Sequence, residues 1–247
     1  KPSQPVSHEE SVDQVEECYG MGAQIAHVHA RDGEGYPTPS PERYEHLIGL
    51  IDDRCPDMVT QLGGLIGRYG ARREDPLGEF LEDRKRLLDL DPAPDMLTIN
   101  AGTFHVQNDP EVAEVLSPNS QEFNREFIAG AQERGIDLEF EIWNHAQLYN
   151  IQQFFDEGLL SEPIHANFLV IPAGGMPPNL KHVSHYLDSC PFPVSSWQIS
   201  GVGRAAIPTA LLSLALGGNA RTGMEDAAYI DRGEYVRDNQ QMVERVL

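Results

Sequence analysis

The chain has 247 residues, with 18 lysines plus arginines against 39 aspartates plus glutamates, a formal charge of −21. Only Lys1, Lys85 and Lys181 are lysines, and no basic run is present to displace counterions from a phosphate backbone, which argues against nucleic acid as a partner. Hydrophobic residues make up 40% and aromatics 8%, enough apolar material to offset the ordering entropy of one large domain spanning 1–247.

The carboxylates are spread along the chain, a pattern that points to a halophilic protein, because concentrated salt screens self-repulsion over a few ångströms. Cys18, Cys55 and Cys190 are odd in number and form no CxxC pair, so neither a disulfide framework nor a zinc ribbon is indicated, and a reducing cytoplasmic setting fits. No stretch approaches 18 apolar residues, and KPSQPVSHEE lacks the apolar segment of a signal peptide, which argues against a membrane location.

In chain order, residues 8–19 show helical periodicity and QIAHVHA (24–30) reads as a buried strand. A helix at 41–53 with Ser40 as its N-cap precedes strand DMVTQLGG (57–64). A helix near 77–90, strand MLTINAG (96–102), a helix near 120–134 and strand DLEFEIW (137–143) follow. Then come a helix near 145–157, strand HANFLVIP (165–172), a helix near 179–188, strand VSSWQISG (194–201), a helix near 205–216, strand ARTGMED (220–226) and a helix over 232–246. Strands alternating with helices at this spacing are the mark of βαβ units and a parallel sheet. The seven strands are one short of the eight in a (β/α)₈ TIM barrel, so the expectation is an α/β TIM barrel whose first strand is missing upstream.

Barrel chemistry sits at the C-terminal ends of strands. His27 and His29, two apart on a strand, share a face and can share an ion, although core histidines bonded to backbone would show the same spacing. A catalytic zinc with two imidazoles takes a third protein ligand, and Glu225 and Asp226 in RTGMED stand where barrel closure would bring a carboxylate round; helix-terminal acids would read alike. Arg221 directs a fixed cation to the same mouth if it is buried. Glu139 and Glu141 alternate with Leu138, Phe140 and Ile142, so both acids face one way and need cations, metal or water. Gly63, Gly64 and the GTFH loop (102–105) allow a substrate carboxylate or carbonyl close to backbone amides, and GGMPPN (174–179) could hold an anion at a helix start. GVGR (201–204) lacks the third glycine of a dinucleotide fingerprint, which discounts NAD.

HVHARD (27–32), LTINAGT (97–103), LEFEIW (138–143), GGMPPN, GVGR and GGNARTGMED (217–226), in this order, resemble the beta-keto acid cleavage enzyme family over essentially the whole chain. The resemblance implies a zinc-dependent barrel, a homotetramer, that condenses a β-keto acid with acetyl-CoA to release acetoacetate and a new CoA thioester. It implies His27, His29 and Glu225 as metal ligands, Arg221 and Asp226 as the catalytic pair, Thr103 as a substrate-binding threonine, and Glu139 or Glu141 as the fourth-strand glutamate. Asn100, Gln61, Gly63 and Gly64 join the substrate-facing set. Where the family carries a Ser or Thr pair before the double glycine, this chain has Gln61 and Leu62; GGN with Asn219 replaces the usual GGH, and Ala227 replaces an Asn. A β-keto acid chelates a Lewis acid through keto and carboxylate oxygens. Asp226 would take a proton from the bound substrate, with Arg221 holding its pKa low and the oxyanion in place. An amidohydrolase-like barrel and a catalytically silent metal-binding barrel are the competing readings; His165 begins the fifth visible strand, and the sixth has no histidine, which disfavours the first.

Overall fold

The computed structural model describes residues 4–64, 66, 76–106, 115–171 and 175–247. The order is α1 (His8–Gly20), β1 (Ile25–Val28), α2 (Pro41–Arg54), β2 (Val59–Leu62), α3 (Pro76–Lys85), β3 (Met96–Asn100), β4 (Phe104–Val106), β5 (Val115–Ser117), α4 (Gln121–Arg134) and β6 (Asp137–Ile142). It continues with α5 (His145–Asp156), β7 (Ile164–Val170), α6 (Leu180–Ser189), β8 (Val194–Gly201), α7 (Ala206–Ala215), β9 (Tyr229–Asp231), β10 (Glu234–Tyr235) and α8 (Asn239–Val246). Strands β1-β2-β3-β6-β7-β8 form one curled, wholly parallel sheet, the α/β architecture of TIM barrels drawn as a partial ring.

Local chemistry starts most helices where they start. Ser7 caps α1 reciprocally with Glu10, Ser120 accepts from Phe123 N at 3.1 Å, and Asn144, Asn179 and Asp238 cap α5, α6 and α8 through their side chains. Ser40 holds the N-cap position of α2 without capping it: its hydroxyl donates to Glu42 at 2.6 Å, and Pro41 supplies the preset first helical φ.

Parallel register sorts the side chains. One face carries the row Ile99, Phe140, Ala166 and Trp197, packed under Leu47, Ile51, Phe127, Leu148 and Phe154 of the surrounding helices. Each such buried side chain contributes roughly 1.5–3 kcal/mol, so the apolar core lies between sheet and helices. The other face turns polar residues into the ring: His27 beside Gln61 beside Met96; Thr98, Glu139, His165 and Ser196; and Asn100, Glu141, Asn167 and Gln198.

The expected last strand at 220–226 does not form. Only Asn219 bridges to Gln198, and 221–226 runs as a loop and turn. RTGMED lacks a β-branched run, and its side chains are committed to one another and to the distant histidines instead of to a strand face. The final helix is also shorter than expected, because 229–235 folds as the β9–β10 hairpin. Among the described residues β1 has no strand on its far edge, where Ile25 is 40% exposed, and the expected eight-stranded ring is represented by six strands and the Gln198–Asn219 bridge. A cavity of 1260 Å³ lies along the seam between β1 and the 219–226 segment, lined by His27, His29 and Gln61 on one side and Arg221, Glu225 and Asp226 on the other. Among the described residues no helix is long and apolar enough to cross a membrane, and all three cysteines are free thiols.

Candidate active site

His27 projects inward from β1, His29 follows on the loop, and the turn at 224–226 reaches them across the seam. His27 Nε2 and His29 Nε2 are 3.2 Å apart; Glu225 Oε1 lies 3.0 Å from His29 Nε2, and Glu225 Oε2 lies 3.4 Å from His27 Nε2. One ligand atom from each of the three falls within a 4.8 Å cluster. Two imidazole nitrogens and a carboxylate oxygen this close together could hold a metal ion. Gly63 makes the room: a β-carbon there would overlap the His29 ring and stand 3.0 Å from His27 Nε2.

Arg221 organises the acids. Its Nε and Nη2 donate to the two Asp226 carboxylate oxygens at 3.1 and 3.2 Å, Nη2 also donates to Glu225 at 2.8 Å, and Nη1 lies 3.7 Å from Glu141. This planar fork matches carboxylate geometry on two edges. The burial that opposes the guanidinium's charge is outweighed by Asp226, Glu225 and Glu141, so Arg221 stays firmly protonated.

The carboxylates part company. Burial would raise Glu225, but His27, Arg221 and His29 hold it well below the ordinary range. For Glu139 burial is likewise outweighed, by His165 first and Arg221 next, and the carboxylate accepts from Asn167 Nδ2 at 3.2 Å and Gln198 Nε2 at 3.0 Å. Glu141 has no such donors among the described residues, and burial pushes it up to about 7 despite Arg221. Asp226 is also raised, by burial foremost and by Glu225, with Arg221 pulling the other way. That corrects the expectation that Arg221 holds Asp226 low: taking the carboxyl out of water costs its charged form more than the guanidinium returns. His27 is raised, because Glu225 and Glu141 prevail over burial and Arg221.

His27, His29, Glu225, Arg221, Asp226 and Glu141 therefore form one connected cluster, while Glu139 belongs to the layer of His165 and Ser196. Gly64 N donates to Thr98 Oγ1 at 2.6 Å. Asn100 is fully buried beside Glu141; its Oδ1 accepts from Trp143 Nε1 at 2.7 Å, and its Nδ2 has no partner among the described residues. Thr103 is exposed, with Oγ1 accepting from Asn119 N at 2.9 Å. Gln61 is not at the open side of the site but behind His27, which changes its role. In GGMPPN, Gly174 lies outside the described residues. Sequence reasoning passed over Asn167 and Gln198, which hold Glu139 ionised; the period-two alternation of HANFLV and SSWQIS carried that signal.

Curled parallel sheet and mouth cluster together define a barrel enzyme of the α/β class with a His-x-His and carboxylate centre. The chain belongs to the beta-keto acid cleavage enzyme family, whose pattern it matches over residues 1–247. It is 29% identical to a 3-keto-5-aminohexanoate cleavage enzyme of Fusobacterium nucleatum, over 100% of this chain and 84% of that protein. It is 24% identical to a 3-oxoadipate:acetyl-CoA acetyltransferase of Cupriavidus necator, over 99% of this chain and 81% of that protein. Among solved structures, the apo structure of ObcA superposes with a TM-score of 0.73 at 16% identity, covering 98% of this chain and 61% of that one, a likeness of fold.

Proposed function

We propose that the protein is a zinc-dependent enzyme that condenses a β-keto acid with acetyl-CoA, releasing acetoacetate and a new CoA thioester. The observation that carries this reading is the approach of His27, His29 and Glu225 within 4.8 Å beside the Arg221–Asp226 pair. The names of the two relatives, one a keto-acid cleavage enzyme and one an oxo-acid:acetyl-CoA transferase, support it.

His27, His29 and Glu225 would hold the ion, which would supply Lewis acidity to the bound keto acid. Two neutral imidazoles and one carboxylate would leave the site net positive, as an anionic substrate requires. Asp226 is the base that takes the proton from the carbon between keto group and carboxylate, and its raised pKa brings it nearer neutrality, where a general base works best. Arg221 Nη1, buried and without a hydrogen-bond partner among the described residues, faces charge developing on oxygen. Asn100 Nδ2 is a second buried donor available to substrate, and Glu141, whose carboxyl is pushed up to about 7, can exchange a proton near neutrality beside Arg221. Gly63 floors the site, and exposed Thr103 is kept as the substrate-binding threonine that the family resemblance implies. Half-exposed Leu211 and Leu214 on α7 and Leu216 just past its end support a homo-oligomer, which the family resemblance gives as a tetramer.

The test is acetoacetate formation from acetyl-CoA with a panel of β-keto acids, in zinc-loaded protein. Turnover with at least one acid is expected. Hydrolysis without acetyl-CoA would favour an amidohydrolase-like activity, and no product with any acid would favour a silent metal-binding barrel.

A further inference from the structure

A neutral imidazole carries one N–H and one lone pair, and the partner of the first nitrogen decides which atom the second presents. Parallel register places His27, Gln61 and Met96 side by side on the inner face of β1, β2 and β3. Gln61 Oε1 lies 2.7 Å from His27 Nδ1, and Gln61 Nε2 lies 2.8 Å from Met96 Sδ. Gln61 and Met96 are 2% and 9% exposed, so solvent scarcely competes for either contact.

An amide has a right and a wrong face here. Its carbonyl accepts the Nδ1 proton and leaves the Nε2 lone pair toward His29 and Glu225. Its NH₂ group would instead donate to Nδ1 and drive the proton to Nε2, where it blocks a metal. Met96 breaks the tie, because a thioether accepts weakly and has no proton to give, so the amide nitrogen turns to sulfur and the carbonyl to His27.

We propose that Gln61, oriented by Met96, is a positioning residue that fixes His27 as the Nδ1–H tautomer. The proposal rests on the reading of His27 as a metal ligand. Gln61 does for that ligand what a carboxylate or backbone carbonyl does in many metal sites, without adding a negative charge. This also accounts for a glutamine at a position expected to contact substrate: both of its polar ends are already committed.

Two measurements test it. Long-range ¹H–¹⁵N correlation on histidine-labelled, metal-free protein, at a pH where the ring is neutral, is expected to show His27 protonated on Nδ1 in the wild type and on both nitrogens in Met96→Leu. Zinc titration against a chromophoric chelator is expected to show Gln61→Leu weakened by about 10–100-fold, with Gln61→Glu restoring affinity because a carboxylate has no wrong face. For the same reason Met96→Leu should weaken zinc binding in the wild-type background and not in Gln61→Glu, a coupling that mere packing would not produce. Wild-type His27 protonated on Nε2, wild-type affinity in Gln61→Leu, or an equal effect of Met96→Leu in both backgrounds would each overturn the proposal while leaving the metal reading intact. Zinc binding no stronger in the wild type than in His27→Ala would remove the metal reading, and the proposal with it.

Discussion

Gly63 stands against His29 so closely that no side chain fits between them, and a β-carbon added there would also stand 3.0 Å from His27 Nε2. Both imidazoles keep their places because residue 63 has no β-carbon. Gly63→Ala should push the His29 ring out of the cluster and lower zinc occupancy at least tenfold. The fold should survive a destabilisation of roughly 1–3 kcal/mol, the usual cost of overpacking. Metal analysis alongside thermal unfolding checks this; full occupancy in the variant would contradict the geometry.

Asp226 and His29 should separate chemistry from metal binding. Asp226→Asn keeps the three donor atoms and should retain zinc while losing about 10²–10⁴-fold in turnover, the usual worth of a general base. His29→Ala should lose both. Paired metal analysis and initial rates decide it, and an active Asp226→Asn enzyme would reject Asp226 as the base.

Glu139 and Glu141 should give stability opposite dependences on pH. Glu141 titrates at about 7 in the folded chain against an ordinary 4.5. Between those values the unfolded chain has released the proton and the folded chain still holds it, so stability falls as pH rises through this window. Compared with Glu141→Gln, metal-free wild-type protein should lose on the order of 3 kcal/mol between them and no more above 7. Glu139 is held low, so its contribution is present above the ordinary carboxylate range and is lost as pH falls through its folded pKa. Urea unfolding of wild type, Glu139→Gln and Glu141→Gln across this range checks both signs; parallel curves for the three would refute the difference.

The strands were legible where the chain writes them in buried runs. VSSWQISG is β8 residue for residue, and LEFEI declares its two faces through a strict alternation. What failed depended on partners distant in the chain. ARTGMED has the position of a strand, but Arg221, Glu225 and Asp226 satisfy one another and the histidines instead. The β4–β5 and β9–β10 hairpins are two or three residues per strand, too short for a period to show. Within the site, the pairing of His27 with His29 was readable from residue type and spacing; spacing alone did not separate Glu225 from Asp226, and the choice of Glu225 came from the family resemblance. The place of Gln61 was not readable, because it follows from the register of β1 on β2 on β3, a relation between segments. Nor was the upward shift of Asp226, which needs its burial as well as its neighbour.

The charge of −21 also has a measurable consequence. At molar ionic strength the screening length falls to about 3 Å, which removes most repulsion between exposed carboxylates. The melting temperature should rise from low to molar potassium chloride, as a halophilic protein requires; equal stability in both would reject that reading.

The most direct measurement is anomalous diffraction at the zinc edge from crystals grown with zinc. One peak per chain is predicted, about 2.0–2.2 Å from His27 Nε2, His29 Nε2 and a Glu225 oxygen. A zinc-loaded crystal with no peak there, or with its peak on other side chains, would contradict the central claim.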